Sequence, residues 1–564
     1  MGYFLEFIEV IIVFLVLFYI HDKYVQRSSS LLINYPIIGR MRYLFEVLRE
    51  PLRQYFAEEQ FYESRDKIDW VYKASREGSN FLSFSVSQPF SDSRFILKHS
   101  NIVLNHSEVS DDFSVTFGGN KKKPFVTNSI ISRSAMSDGA LSPEATRACA
   151  IGAFNGKFPI NTGEGGLTSN YFFTHKLNSA TKKCFERIPG TDFHRTMFKL
   201  TNTFFNGAIA TKIYRNIVLK NRVKDTYILD RETMDFYRPD WNAPLENFPK
   251  EVPSDIPDII LQVGSGLYGV RDENGDFDPI RYQKVMSFCK MTEIKIAQGA
   301  KQTGGKILAD KVTEDIAYYR GVEVGKDLIS PNRFPFAKTT EDLFDFMGRL
   351  QELSNKPVGM KIVISDTKAM ENMVKVIDDR LKKSKAIPDF ITVDAGDGGS
   401  ATAPLELMET IGLSAVNSLY ILDTLLRKYK LKDRIKIIIS GKILTPDDVA
   451  TMLCLGADLV AIARGFMMSG GCIRARHCSG ANGKHCPVGM ATQDKKLRAS
   501  YLVVRKSKHI EHYHNSLIAG VKNILAVMGI AHKSKFSKEK LAFKNKIGEV
   551  YFDVDKYFHN KLHI

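Results

Sequence analysis

Three cysteines fall within fifteen residues in the segment GCIRARHCSGANGKHCPVGMATQ, with five residues between Cys472 and Cys478 and seven between Cys478 and Cys486. Thiolates bind soft metals and iron–sulfur clusters, and a cysteine followed by proline, here Pro487, is a recurrent cluster ending. His477 and His485 lie alongside, so zinc in a Cys3His set is the chemical rival. A purely structural role ranks below both, because the loop is polar and glycine-rich. Two lysines stand inside apolar runs, Lys295 in EIKIAQGAK and Lys361 in GMKIVI. An ammonium there must face an anion in an interior space or point outward between covering helices, since desolvation without a partner is costly. Lys361 is assigned to the interior; for Lys295 the two readings are balanced. Lys301 and Arg320 add two cations beyond the same run. Together they suit a dicarboxylate, Arg as a bidentate donor and Lys as a point charge, whereas each alone is equally a solvated surface group.

The elements that position these residues follow a rhythm. Ile259 to Val263, Glu293 to Ala297, Gly359 to Ile364, Phe390 to Asp394, Ile435 to Ser440 and Leu459 to Ala463 are short apolar runs, each followed by a longer helical stretch. Continuous apolar strands alternating with helices indicate a parallel sheet covered on both faces. The fold class is therefore α/β, and the length of the pattern suits a (β/α)8 TIM barrel with an insertion. Three strand ends carry glycines: FITVDAGDGGSATAP, where the strand ends in Asp394 and a run of small residues whose bare amides can approach an anion, and IIISGK and VAIARGF, where glycine stands beside Lys or Arg. Each alone is a tight turn, but three in succession indicate a phosphate-bearing cofactor or substrate. The expected divisions are 1–27, an accessory region 28–124, the barrel 125–505 interrupted at about 170–255, and a helical tail 506–564.

The chain has 564 residues, 44% hydrophobic, with a formal charge of +16. Those fractions exclude wholesale disorder, collagen-like, disulfide-scaffold and polytopic membrane classes. The positive excess is spread along the whole length, so no nucleic-acid partner is expected from it. Cys149, Cys184, Cys289 and Cys454 sit in apolar sequence and read as reduced core thiols. From Tyr3 to Ile20 the chain is apolar apart from Glu6 and Glu9, about 27 Å as a helix. With Lys23, Arg27, Arg40 and Arg42 following it, this segment is expected to be a single-pass transmembrane anchor that leaves the catalytic body in the cytoplasm. The alternative is an interfacial helix with the two glutamates at its wet edge.

Several longer segments resemble the FMN-binding glutamate synthase family, in particular its short membrane-anchored members without a glutaminase domain. They are NYPIIGRMRYLFEVLREPLRQYF, SAMSDGALSPEA, NTGEGG, QVGSGLYGVRDENGDFDP, EIKIAQGAK, DKVTEDIAYYRGV, LISP, VDAGDGGSATAP and CPVGMATQ, in that order. The resemblance implies a barrel holding FMN beside a 3Fe-4S cluster and the reduction of 2-iminoglutarate to glutamate. It implies that Ala135 and Met136 pack at the flavin, that Gln262 and Lys361 contact its ring, and that Gly398, Gly399, Gly441, Arg464 and Gly465 line its phosphate. Lys301 and Arg320 would grip the oxo-acid carboxylates, with Glu164 near the reaction centre, and Cys472, Cys478 and Cys486 would hold the cluster. The partners implied are a 2-oxo acid, ammonia and an electron donor.

The chain departs from the family pattern at GAKQTGGK, where short relatives read roughly GAKPGHGG, in the longer spacing between the last two cysteines, and in the insertion after NTGEGG. No N-terminal catalytic cysteine follows Met1, so ammonia is expected from solution or a partner. Two alternatives remain: an FMN oxidoreductase acting on another 2-oxo or amino acid, and a non-catalytic membrane-anchored barrel scaffold.

Overall fold

The structure, a computed structural model, describes residues 2–26, 32, 35–41, 45, 47–48, 64–78, 94–172, 177, 182, 185–220, 227–239, 248, 250–408 and 410–562. Cys184, Arg27 and Arg42, singled out above, lie outside the described residues. Eight parallel strands close into a barrel: β1 (Ile131–Arg133), β2 (Ile160–Asn161), β3 (Ile259–Val263), β4 (Met291–Lys295), β5 (Val358–Ile362), β6 (Phe390–Asp394), β7 (Lys436–Ser440) and β8 (Leu459–Ile462). Their order around the barrel is their order along the chain, and β8 closes the ring on β1 through Val460↔Ile131 and Ile462↔Arg133. Strands β3 to β6 are buried at every position. A strand covered on both faces cannot alternate polar with apolar residues, which is why the sequence shows unbroken apolar runs.

Helices cover the outside. Helix α1 (Pro143–Gly156) starts with Ser142 accepting from the Ala145 amide and Pro143 at its first turn, both good helix starts. Helix α2 (Thr340–Ser354), helix α3 (Thr367–Lys382) and helix α4 (Ala415–Lys428) follow β4, β5 and β6. A long helix, α5 (Val503–Val527), lies against α1. A Cβ on Gly152 of α1 would stand 2.7 Å from Ile510 Cγ2 of α5, so glycine sets how closely the two can pack. Between β2 and β3 a three-stranded antiparallel sheet (Phe185–Ile188, Ile228–Leu229, Phe236–Pro239) and two helices (Asp192–Phe204, Gly207–Leu219) form a small separate core around Tyr214, Leu219, Tyr227 and Phe236.

The described residues of 1–61, together with Ile473–Ala475, form a compact unit that contains a helix, Gly2–Ile20. Among the described residues no helix is long and apolar enough to cross a membrane. This overturns the expected single-pass anchor and the cytoplasmic placement built on it. Glu6 and Glu9 interrupt the apolar sequence in the helix's first turns, leaving Val10 to Ile20 as the unbroken apolar run. At 1.5 Å rise per residue that is about 16 Å, roughly half the hydrocarbon thickness. Immediately after it Asp22 is buried and accepts from Arg40 Nε at 2.8 Å.

Candidate functional site

Residues in register on neighbouring parallel strands point to the same side of the sheet. Gln262 of β3 is in register with Glu293 of β4, Lys295 with Lys361 of β5, Lys361 with Thr392 of β6, and Asp394 with Ser440 of β7. These side chains form a polar column in the barrel interior. The Glu293 carboxylate, 2% exposed, accepts from Asn161 Nδ2 at 2.8 Å and Gln262 Nε2 at 2.6 Å, with Thr392 Oγ1 on its other oxygen. A buried carboxylate is tolerable when its lone pairs are met in this way. Above it, Lys361 Nζ faces Asp394 Oδ2 at 3.3 Å, and the same oxygen accepts from the Gly299 amide at 3.0 Å. Burial works to lower the pKa of Lys361, but Asp394 and Glu293 outweigh it and hold the ammonium's pKa above the ordinary lysine value. Lys361 is thus an interior cation, as expected from its place in an apolar strand.

Lys295 resolves the balanced reading in favour of the interior. Its Nζ is paired with Glu164 Oε2 and donates to Gln298 Oε1 at 2.9 Å. Burial alone would raise the pKa of Glu164; Lys295, Arg320 and Lys301 reverse the sign and hold it below the usual carboxylate value. One carboxylate from the turn after β2 and three cations, Lys295 at the end of β4, Lys301 in the loop after it and Arg320 at the end of the short helix Glu314–Arg320, therefore share a neighbourhood above the interior column. Gly305 closes over it, since a Cβ there would stand 2.5 Å from Glu164 Oε1.

Lys301 is 3% exposed and donates to Thr402 Oγ1 at 3.2 Å. Burial, with Lys295 adding to it, pushes its pKa down to about 8. Arg320 is buried in a slot where Cβ atoms on Gly139 and Gly165 would approach Nη2 to 3.3 and 2.7 Å. Its guanidinium lies 5.5 Å from the Tyr268 ring centroid, Nη2 donates to the Asp138 carbonyl at 3.0 Å, and Nε has no hydrogen-bond partner. Desolvation lowers its pKa, which Glu164 partly offsets.

The turn after β1 carries Ala135 and Met136, both partly exposed. Around the mouth, Gly399 lies against Arg464: a Cβ on the glycine would stand 3.0 Å from the guanidinium Nη2. Gly398 belongs to the same turn, closed by its amide donating to the Ala395 carbonyl at 2.9 Å. Gly441 has φ 155° and a backbone that packs on Ala395. Gly465 has a different physical reason to be glycine, because a Cβ would collide with Tyr513 Oη at 2.0 Å.

Cys486 is buried and Cys472 and Cys478 are half-buried. Among the described residues no three His, Cys, Asp or Glu side chains converge to hold a metal ion. A cation stands beside this segment. Lys311 Nζ donates to the carbonyls of Cys478 at 2.5 Å and Ala491 at 3.0 Å. Burial lowers its pKa, and Cys478, Asp310 and Cys486 act against that.

Sequence reasoning missed Glu293, Asp138 and Arg133. Asp138 is fully buried, accepts from Thr168 Oγ1 and Asn170 Nδ2 at 2.6 Å each, and has a pKa raised by desolvation. The signal for Glu293 was an acidic residue two positions before Lys295 in an apolar strand, hence on the same side. Asp138 offers no such signal, because its partners Thr168 and Asn170 lie thirty or so residues away, and β1, which ends at Arg133, is too short to show periodicity.

Residues 64–531 match the family described as the conserved region in glutamate synthase. A glutamate synthase large subunit-like protein, YerD of Bacillus subtilis, is 30% identical over 99% of this chain and 98% of its own length. An archaeal-type glutamate synthase [NADPH] of Thermotoga maritima is 30% identical over 50% of this chain and 52% of its own. A flavocytochrome b2 structure with sulfite bound aligns over 88% of this chain at 12% identity and a TM-score of 0.40, too low to carry an argument. The chain belongs to the glutamate synthase family.

Proposed function

We propose that the barrel mouth is the active site of a glutamate synthase-like oxidoreductase that binds FMN and reduces an imine of a 2-oxo dicarboxylic acid to the amino acid. The observation that carries this reading is the convergence of Glu164, Lys295, Lys301 and Arg320 above the interior column. Three cations around one carboxylate leave a net positive, dry pocket that favours an anionic substrate. Arg320 and Lys301 bind and orient its carboxylates, the former as a planar fork and the latter as a point charge. Glu164, held ionised by Lys295, orients the substrate nitrogen by accepting from it. The loop through Gly305 excludes water from the same space.

Residues at the strand ends fit a flavin phosphate and ring: Gly399 leaves room beside the Arg464 guanidinium, and Lys361 sits in the interior with its charge retained. Bound FMN would supply the hydride, and the chain supplies positioning and electrostatics. No electron step is assigned to the cysteine segment. The test is purification of the full chain followed by absorbance between 350 and 500 nm, then turnover with 2-oxoglutarate, ammonium and a chemical reductant. Flavin bands and glutamate formation support the reading; a protein that neither carries nor takes up FMN ends it.

A further inference from the structure

Arg133 is the last residue of β1 and is completely buried. Its neighbours Ser132 and Ser134 face the barrel interior, as the contact between Ser134 Oγ and Ser440 Oγ at 3.2 Å requires. Alternation along a strand then turns Arg133 outward, between the barrel wall and its covering helix. Its register partners there, Ile462 and Ile160, offer no charge. Nη1 donates to the carbonyl of Ser134 at 3.1 Å and to that of Met136 at 2.9 Å, while Nε and Nη2 have no hydrogen-bond partner. No carboxylate pairs with it among the described residues. A desolvated guanidinium with two unused donors is unfavourable for folding on its own account. Its two made bonds show what it does.

In a trans peptide the C=O and the following N–H point in opposite directions. By drawing the Ser134 and Met136 carbonyls outward, Arg133 turns the amides of Ala135 and Ser137 the other way, toward the mouth. Neither amide meets an acceptor among the described residues. Tyr171 Oη, 3.4 Å from the Met136 carbonyl, reinforces the same orientation.

We infer that Arg133 is a positioning residue: from behind the β1 turn it aims two peptide N–H groups at the flavin, and its unpaired charge favours the electron-rich reduced form over the oxidised form. This rests on the proposed flavin site. Donors and positive charge near a ring that gains electrons stabilise the reduced state more than the oxidised one.

The test uses the full chain loaded with FMN and compares wild type with R133M and R133K in midpoint potential, FMN affinity and thermal unfolding of the FMN-free protein. R133M is expected to weaken binding of reduced FMN at least tenfold more than that of oxidised FMN, a fall in two-electron potential of about 30 mV. R133K keeps the charge but cannot bridge both carbonyls in the same fork, and a smaller shift in the same direction, about threefold, is expected from it. Should R133M fail to fold, the R133K potential decides. A variant that unfolds at lower temperature but keeps the wild-type ratio of reduced to oxidised affinity would overturn the inference and leave Arg133 a structural residue. Absence of FMN binding by the wild type would instead remove the proposed function, and this inference with it.

Discussion

Lys301 keeps its proton against desolvation and the repulsion of Lys295. With a pKa near 8, it is charged below that pH and neutral above it. If it grips a carboxylate, kcat/KM should be level on the acid side and fall as pH rises through about 8, a limb that K301M would abolish. A flat profile across that range would remove Lys301 from substrate binding. K301M itself should lower kcat/KM by roughly 10- to 100-fold, the 1.5–3 kcal/mol of a charged hydrogen bond, measured in steady-state assays. What the sequence displayed at this scale depended on how near a partner lies. Lys361 was legible as an interior cation because an apolar strand gives an ammonium few other destinations. The partner of Lys295, Glu164, precedes it by 131 residues, and no local pattern announces that pair. The cysteine triplet was the most conspicuous feature of the chain, yet its spacing alone does not name the group it would hold.

Strands of five residues with buried flanks could be found from composition: the sequence run Ile259 to Val263 coincides with β3 and Phe390 to Asp394 with β6, while the run beginning at Glu293 starts two residues inside β4. The strands β1 and β2, three and two residues long, are too short to show periodicity and were not readable individually. At this scale glycine positions give the sharpest expectations. Gly465→Ala pushes a methyl into Tyr513 Oη, which donates to the Leu444 carbonyl at 2.8 Å and so cannot swing freely. A loss of about 1–3 kcal/mol in urea unfolding is expected. Gly152→Leu should cost at least as much by forcing α1 and α5 apart. Equal stability of G152L and wild type would show that the two helices do not pack in this way.

For the molecule as a whole, acid sensitivity has an identifiable source in His514, buried on α5. Burial pushes its pKa down to about 4; its Nε2 lies 2.8 Å from Ser129 Oγ, and its ring stacks on Phe158 at 4.5 Å. A group whose folded pKa is depressed contributes stability that is present above its unfolded value, about 6.5, and is lost as pH falls toward 4. At about 1.4 kcal/mol per unit the swing is at most about 3 kcal/mol. H514Q should flatten the slope of stability against pH between 6.5 and 4 in denaturant titrations, and an unchanged slope would place the acid lability elsewhere. The apolar N-terminal stretch shows the limit of composition at this scale: it marks a helix correctly but does not by itself make one long enough to cross a bilayer.

Because the ring of strands shuts only when Val460 meets Ile131, the turn bearing Ala135 gains its neighbour on one side from sequence made more than three hundred residues later. During synthesis the ligand's berth does not exist until the last strand has left the ribosome. If the mouth takes up flavin as proposed, its capture is a receipt for completed folding, and chains ending before β8 should be told from intact ones by their lack of colour.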